Sequence, residues 1–524
     1  MPGIDKNILD TIIPDHLISR VKRDLASDFI LAPHYNAIFL KVGDELWQET
    51  YSQLKSGKYQ PELPLTIDVP KEKQGFTRPG SVLQPIDRLV YHSLVDLTLP
   101  LLEEQLDRGR TFSHIPSGVT STDHLFDRSQ KSWDLFQSKV LELCHQGGYV
   151  VKADVSNYFE RIPQHHLINL MQASGCPTEV VRLLEELLLA FQERNSFGII
   201  QGVFPSDILG NFYLSDFDAF CELNDIPSAR YVDDFYLQFH TEKEAKQGLT
   251  SLISRLRQNG LHLNEHKSGI RSCEQLIKEE TEIDDLFQEA CEEIENEMIE
   301  ARIPRDLYGF PGDWELHEIT SNLNRNEIHI SAVTRLYKSI EDFPDQATKI
   351  ERFCLPFLGA SASEVAVERA IQGVVKRPHL TRIYQSYLSR FTNHIPEVVE
   401  QLEHLLNSDE LVLDYQLMYI LGALMNSPKI EQQTTVKKTL QLLGAPHIGQ
   451  ETRALAAIFA AKHGSPNQQR SVKLRYEKEA SSYVRGAILY ASKYFTSVEQ
   501  KTCIRAWGGH NSINALISAA LRKN

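Results

Sequence analysis

A layer of short strands backed by helices (α+β), followed by an all-α region of stacked helices, is the fold the sequence predicts. Three observations carry it. In the first 270 or so residues, short β-like runs alternate with stretches of helical periodicity and include one tight hairpin, the pattern of a sheet covered by helices. Beyond about residue 345 almost every stretch has its apolar residues at helical spacing. Within that region four alanine-rich segments, near residues 415, 451, 481 and 511, recur roughly every 30 to 36 residues, a period that suggests helix pairs each burying an apolar face on the next. An irregular helical bundle is the alternative.

The elements follow in order. GGYVVKADVSNYF (147–159) opens on two glycines, runs through β-branched residues and meets an aspartate, as a buried strand ending at a charged site does. VVRLLEELLLAFQ (180–192) has helical spacing, and SARYVDDFYLQFH (228–240) reads as strand, turn, strand. EKEAKQGLTSLISRLRQNGLHLN (242–264) is an amphipathic helix stopped by Gly260, then a short strand. The acidic run 274–300 keeps Ile277, Ile283, Phe287, Ala290 and Ile294 among its carboxylates, and its default reading is a helix with a solvated face. These readings divide the chain into 1–272, an acidic helical connector over 273–345, and a helical-repeat domain over 346–524.

Composition narrows the class of protein. A chain of 524 residues with 42% hydrophobic and 24% charged residues is that of a globular protein with two or three domains. No apolar run approaches the roughly 18 residues that cross a bilayer, and the start lacks a basic end with an apolar core, so a cytoplasmic protein without a membrane partner is expected. The seven cysteines contain no C-x-x-C pair, which points to small core hydrophobes rather than a zinc site or disulfides. The net charge of −15 looks wrong for a protein that touches nucleic acid, but residues 274–300 hold twelve acids and one lysine, a net of −11, leaving −4 elsewhere. A basic channel is therefore compatible with the total.

Asp233 and Asp234 stand side by side between apolar and aromatic runs in ARYVDDFYLQF. Two readings fit: a hairpin turn, where Asp is common, or a divalent cation that lets like charges sit together. Asp154 at the end of the strand 147–154, with Tyr158 and Phe159 just after it, supplies a third carboxylate. Three carboxylates at strand ends are hard oxygen ligands of the kind that two magnesium ions and a triphosphate require. In GIIQGVFPSDILGNFYLSDFD (198–218) a glycine-flanked turn at Gly198, Gln201 and Gly202 leads through Ser206 into a helix, and glycines let a nucleotide approach the backbone. In VPKEKQGFTRPGSVLQPIDRL (69–89) Lys71, Lys73 and Arg78 surround a glycine turn and could neutralise a polyphosphate.

These stretches, in this order and with LNEHKS (263–268) closing the series, resemble the fingers and palm of bacterial reverse transcriptases over about residues 60–270. The resemblance implies roles. Asp154, Asp233 and Asp234 would ligate two Mg2+ ions, Mn2+ being the substitute, with the Val155 carbonyl completing the shell. Phe159 would be the aromatic gate against a ribose 2′-hydroxyl, with Tyr158 the alternative. Gln201 and Gly202 would line the nucleotide pocket, Arg78 with Lys71 or Lys73 would hold the triphosphate of a dNTP, and Lys267 would protonate the departing pyrophosphate.

Among such enzymes, retron proteins usually carry Asn-Ala-x-x-His and Val-Thr-Gly signatures, whereas NAIFL at 36 lacks the His and GVTST at 118 is not the tripeptide. Group II intron proteins place a basic maturation domain after the palm. An acidic segment followed by helical repeats is similar instead to the abortive-infection and unknown-group reverse transcriptases of antiphage defence, whose C-terminal domain is HEAT-like. That class implies a homo-oligomer, single-stranded DNA product, and synthesis without a conventional template primed from a protein tyrosine. Tyr35 and Tyr51 are the candidates among nineteen tyrosines. Alternatives are a retron-like enzyme copying a non-coding RNA, and a catalytically silent palm that only binds nucleic acid. Arg453, Lys462, Arg485 and Lys493 recur on successive helices and could line one basic face.

Overall fold

The computed structural model describes residues 3–25, 28–73, 75–117, 126, 129–295, 327–428, 430 and 433–523. GVTST and residues 296–326 of the acidic connector lie outside them. Among the described residues six strands form: β1 (Leu65–Pro70), β2 (Thr77–Val82), β3 (Tyr149–Asp154), β4 (Ser228–Tyr231), β5 (Asp234–Phe239) and β6 (Gly269–Ser272). β1 and β2 make an antiparallel hairpin, and the other four make an antiparallel sheet in the order β4-β5-β3-β6. By packing, the chain forms two interleaved units: residues 1–27, 50–63 and 87–312, and residues 28–49, 64–86 and 313–524.

The first unit is built on the four-stranded sheet. β3 is central, which suits its run of Val150, Val151 and Ala153, all buried. Gly148 begins it at φ +91°, where a Cβ would lie 2.3 Å from the Phe239 carbonyl, so the second glycine of GG is a requirement of close backbone approach. The helix Glu242–Gln258 packs on β3 and β5. It starts at a capping box in which Thr241 and Glu244 satisfy each other's backbone amides. The helices Ser129–His145 and Cys273–Glu295 pack on each other, the first also on β4 and β5, the second on β3 and β6. Phe136, Val140, Val150, Tyr236 and Leu276 form the core between them. The short strand expected right after Gly260 is displaced. Leu263 makes only an isolated bridge to Val155, and regular pairing resumes at β6, because residues 264–268 are used as a loop that grips Asp154.

In the second unit, helices Ala347–Ala360, Thr381–Leu388, Asp414–Leu424, Gln450–His463, Ser482–Ala491 and Ser512–Arg522 form one row, each packed on the next. The last four start at 414, 450, 482 and 512, steps of 36, 32 and 30. Gln450–His463 is buried around nearly its whole circumference, as an inner helix must be. The intervening helices Val367–Lys376, Pro396–Asn407, Gln433–Gly444 and Pro466–Arg475 touch their neighbours in an outer row. The helix Pro33–Lys41 packs on Ser482–Ala491 and Ser512–Arg522, while β1 packs on Asp414–Leu424.

The expected basic face on this unit does not form. Arg453 is buried against Glu479, the Lys462 ammonium donates to the Met425 carbonyl at 2.6 Å, Arg485 lies over the Tyr476 ring, and Lys493 donates to the Tyr490 hydroxyl at 2.6 Å. Internal packing has taken each of these cations. The six described cysteines are buried and unpaired as thiols. Among the described residues no helix is long and apolar enough to cross a membrane.

Candidate active site

The antiparallel pairing of β3 with β5 sets Asp154 directly opposite Asp234, and the Val155 amide donates to the Asp233 carbonyl at 3.3 Å. Tyr231 also pairs with Asp234, so the β4–β5 turn has only two residues, Val232 and Asp233. Two-residue hairpins need a positive φ at their first position, and Val232 sits at φ +55°. For a β-branched residue this conformation costs on the order of 1–3 kcal/mol unless its surroundings impose it. They do. Arg230 is fully buried and donates to the Val232 carbonyl at 3.0 Å, while the Val232 amide donates to Ser113 Oγ at 3.0 Å. Arg230 is itself fixed by Asp218 and by Asn211 Oδ1 at 3.1 Å, and Thr111 donates to Asp218 at 2.7 Å. Asn211 and Asp218, visible in the 198–218 stretch without a role, prove to be supports of the carboxylate turn.

The electrostatics follow from this crowding. Burial, then the charges of Asp234 and Asp154, push the Asp233 carboxyl up to about 7. Burial and Asp154 push Asp234 up to about 6, against the pull of Lys267. Lys267 Nζ donates to Asp154 Oδ2 at 3.0 Å. Partial burial depresses the Lys267 ammonium, but its bond to Asp154 and the three carboxylate charges outweigh that and hold it above the ordinary lysine range. The same loop clamps Asp154 by its backbone: the Asn264 amide donates to the Asp154 carbonyl at 2.8 Å, and the Asp154 amide donates to Ser268 Oγ at 3.1 Å. The donor set fits a hard divalent ion, since it is all oxygen and carries a repulsion that a cation relieves. Among the described residues no three His, Cys, Asp or Glu side chains already converge as metal ligands. Here the Lys267 ammonium serves as counter-ion to Asp154 through Oδ2.

Residues 69–295 match the family model described as reverse transcriptase (RNA-dependent DNA polymerase). The chain carries a reverse transcriptase domain. No curated protein matches it. The match runs from β1 to the end of the helix Cys273–Glu295, and so takes in every motif on which the resemblance rests.

Within the reverse transcriptase domain, Asn157 at φ +49° turns the chain from β3 into the short helix Tyr158–Arg161. Tyr158 is buried, its hydroxyl donating to the Gly210 carbonyl at 2.5 Å, whereas Phe159 sits nearer the surface at 9% exposure. A Cβ on Gly210 would lie 3.0 Å from the Phe159 ring, so this glycine admits both rings. The Phe159 carbonyl accepts from the Ile199 amide at 2.8 Å, which brings it close in the chain path to Gln201 and Gly202; Gly202 has φ +89°. Lys71, Lys73 and Arg78 belong to the second unit. There the Lys73 ammonium lies 5.1 Å from the Phe76 ring centre, and the Arg78 guanidinium lies 4.9 Å from that of Phe29.

Tyr35 is buried between the rings of His34 and Tyr483, and the Tyr51 hydroxyl donates to Asp10 at 2.7 Å, a bond that raises its phenol above the ordinary range. Glu280 was missed. It accepts from Lys152 of β3 at 2.6 Å, from the Tyr236 hydroxyl at 2.9 Å and from Gln137 at 3.2 Å. In an acidic run, one carboxylate turned inward has no sequence signature beyond its place one turn after Leu276 and Ile277. Asp87 and Arg88, at the end of the first motif, are structural: Tyr59 donates to Asp87 at 2.6 Å, and Arg88 donates to buried Asp24 at 2.7 Å.

Proposed function

We propose that the chain is a DNA polymerase of the reverse transcriptase type that acts in bacterial antiphage defence in the cytoplasm, adding dNTPs to a growing single strand as a homo-oligomer. The observation that carries the polymerase reading is the pairing of Asp154 with Asp234, next to Asp233, at one end of the sheet in a segment of matching family. When bound, two divalent ions, Mg2+ or Mn2+, supply activation of a 3′-hydroxyl and neutralise charge on the departing pyrophosphate. On this reading Asp154, Asp233, Asp234 and the Val155 carbonyl hold those ions. Phe159 excludes a ribose 2′-hydroxyl, Gln201 and Gly202 line the nucleotide pocket, and Arg78 with Lys71 or Lys73 holds the triphosphate. Lys267 delivers a proton to the pyrophosphate once it is free of Asp154.

The defence class is supported by the two-row helical unit that follows the domain, in the position of a HEAT-like repeat. Protein priming draws no support from the surroundings of Tyr35 or Tyr51, one buried and the other bonded to a carboxylate. Incubating the purified chain with Mg2+ and labelled dNTPs, with and without an RNA template, tests the activity. Replacing Asp233 and Asp234 together by asparagine should lower incorporation by at least about 10³-fold, the scale of losing metal-assisted charge stabilisation. Incorporation unchanged in a variant that still melts in one cooperative transition overturns the polymerase reading.

A further inference from the structure

Helices Ser497–Trp507 and Ser512–Arg522, the last two of the chain, frame an open cavity of about 640 Å³. Lys501 and Arg505, one helical turn apart, line it from the first helix, and Arg522 from the end of the second. All three are exposed, and among the described residues no ion pair engages them. No carboxylate lines the cavity, in a chain whose net charge is −15. A second feature is independent of the cations. Ser518 lines the same cavity at 2% exposure, and its Oγ has no hydrogen-bond partner. A Cβ on Gly508 would lie 2.5 Å from that oxygen, so a side chain there would crowd the buried hydroxyl, and Gly509 beyond it faces open space. A buried hydroxyl left unbonded is costly, and a ligand oxygen that accepts from it removes the cost.

Three unpaired cations, one free hydroxyl donor and no acid make a receptor for a phosphate. The exposure of Lys501, Arg505, Gly509 and Arg522 suits a phosphate carried on a passing chain rather than a small ion that must be enclosed. We propose that Lys501, Arg505, Arg522 and Ser518 bind the phosphodiester backbone of single-stranded nucleic acid. The identity of that strand as polymerase product rests on the function proposed above, whereas the site itself does not.

The test is fluorescence anisotropy of a labelled 20-nucleotide oligo(dT) on the full chain over a series of KCl concentrations. Each phosphate contact on a single strand contributes about 0.7 to the slope of log affinity against log salt. Replacing Lys501, Arg505 and Arg522 by glutamine should therefore flatten the slope by about 2, and Arg505→Gln alone by about 0.7. Ser518→Ala should weaken binding severalfold with little change of slope, because it removes a neutral donor. Equal slopes for parent and variants, with matching melting curves, overturn the site. So does anisotropy that inorganic phosphate or dTTP at millimolar concentration leaves unchanged, while the same ligand raises the melting temperature of the parent and not of the triple glutamine variant, since the pocket then belongs to a free phosphate. Labelled dNTP incorporation in the same preparation separates the two proposals: activity without the slope difference removes only this site, and the slope difference without activity removes only the polymerase reading.

Discussion

Asp233 and Asp234 titrate higher in the fold than in an unfolded chain, so between pH about 4 and 7 the folded state holds the extra protons. Ion-free stability therefore falls as pH rises through that window. Asp233→Asn, which removes one of these charges, should melt about 2 °C above the parent at pH 8, the gap closing toward pH 4 where the carboxyl is neutral. Millimolar Mg2+ should reverse the order at pH 8, because an ion held only by the folded carboxylates stabilises the parent more. A gap that does not change with pH would show that neither burial nor mutual charge raises these carboxyls. Lys267 lowers both aspartates, so Lys267→Met should move their titration upward and, if this lysine is the proton donor, slow incorporation by about 10²-fold. An unchanged rate leaves Lys267 only the counter-ion role that its 3.0 Å bond to Asp154 describes.

At the scale of elements, the strand, the hairpin and the amphipathic helix that build the site could be read from periodicity and turn residues, because each is a local pattern. What could not be read is long-range. Arg230 sits in a strand-like run where its charge looks solvent-bound, yet it is buried and ties the turn to Asp218, Asn211 and Thr111 through partners up to 119 residues away. The acidic run hid Glu280 in the same way, since only its packing against Lys152 distinguishes it from solvated neighbours. Glycine 248 shows packing overruling propensity. In the middle of the helix Glu242–Gln258, Gly→Ala should gain about 1 kcal/mol of helix stability. A Cβ there would lie 2.1 Å from the Phe239 ring, however, and overpacking costs about 1–3 kcal/mol. Gly248→Ala is thus expected to lower the denaturation midpoint, and a raised midpoint would mean that Phe239 moves aside freely.

At the scale of the whole molecule, the order of segments along the chain conceals how they are grouped. Residues 28–49 and 64–86 pack with the helices beyond 313 rather than with the four-stranded sheet. The attachment is close. The Leu31 amide meets Met418 Sδ at 3.4 Å, Tyr419 donates to the Phe29 carbonyl at 3.2 Å, and Gly422 leaves room for Leu31, whose Cδ1 lies 2.5 Å from where a Cβ would stand. Ala37, Ile38, Phe39, Val42 and Leu46 are buried in this unit, and each large side chain so covered contributes about 1.5–3 kcal/mol. A fragment ending at residue 345 keeps the reverse transcriptase match but removes the helices on which these residues lie. It also removes the support of the β1–β2 hairpin that carries Lys71, Lys73 and Arg78. The fragment is therefore expected to aggregate, or to melt without a cooperative transition, and to incorporate no nucleotide. Size-exclusion chromatography and thermal melting decide the point: a monodisperse fragment with one sharp transition would mean that the N-terminal segments fold without the helical rows, and that the interleaving of the two units is not needed to hold the hairpin's cations.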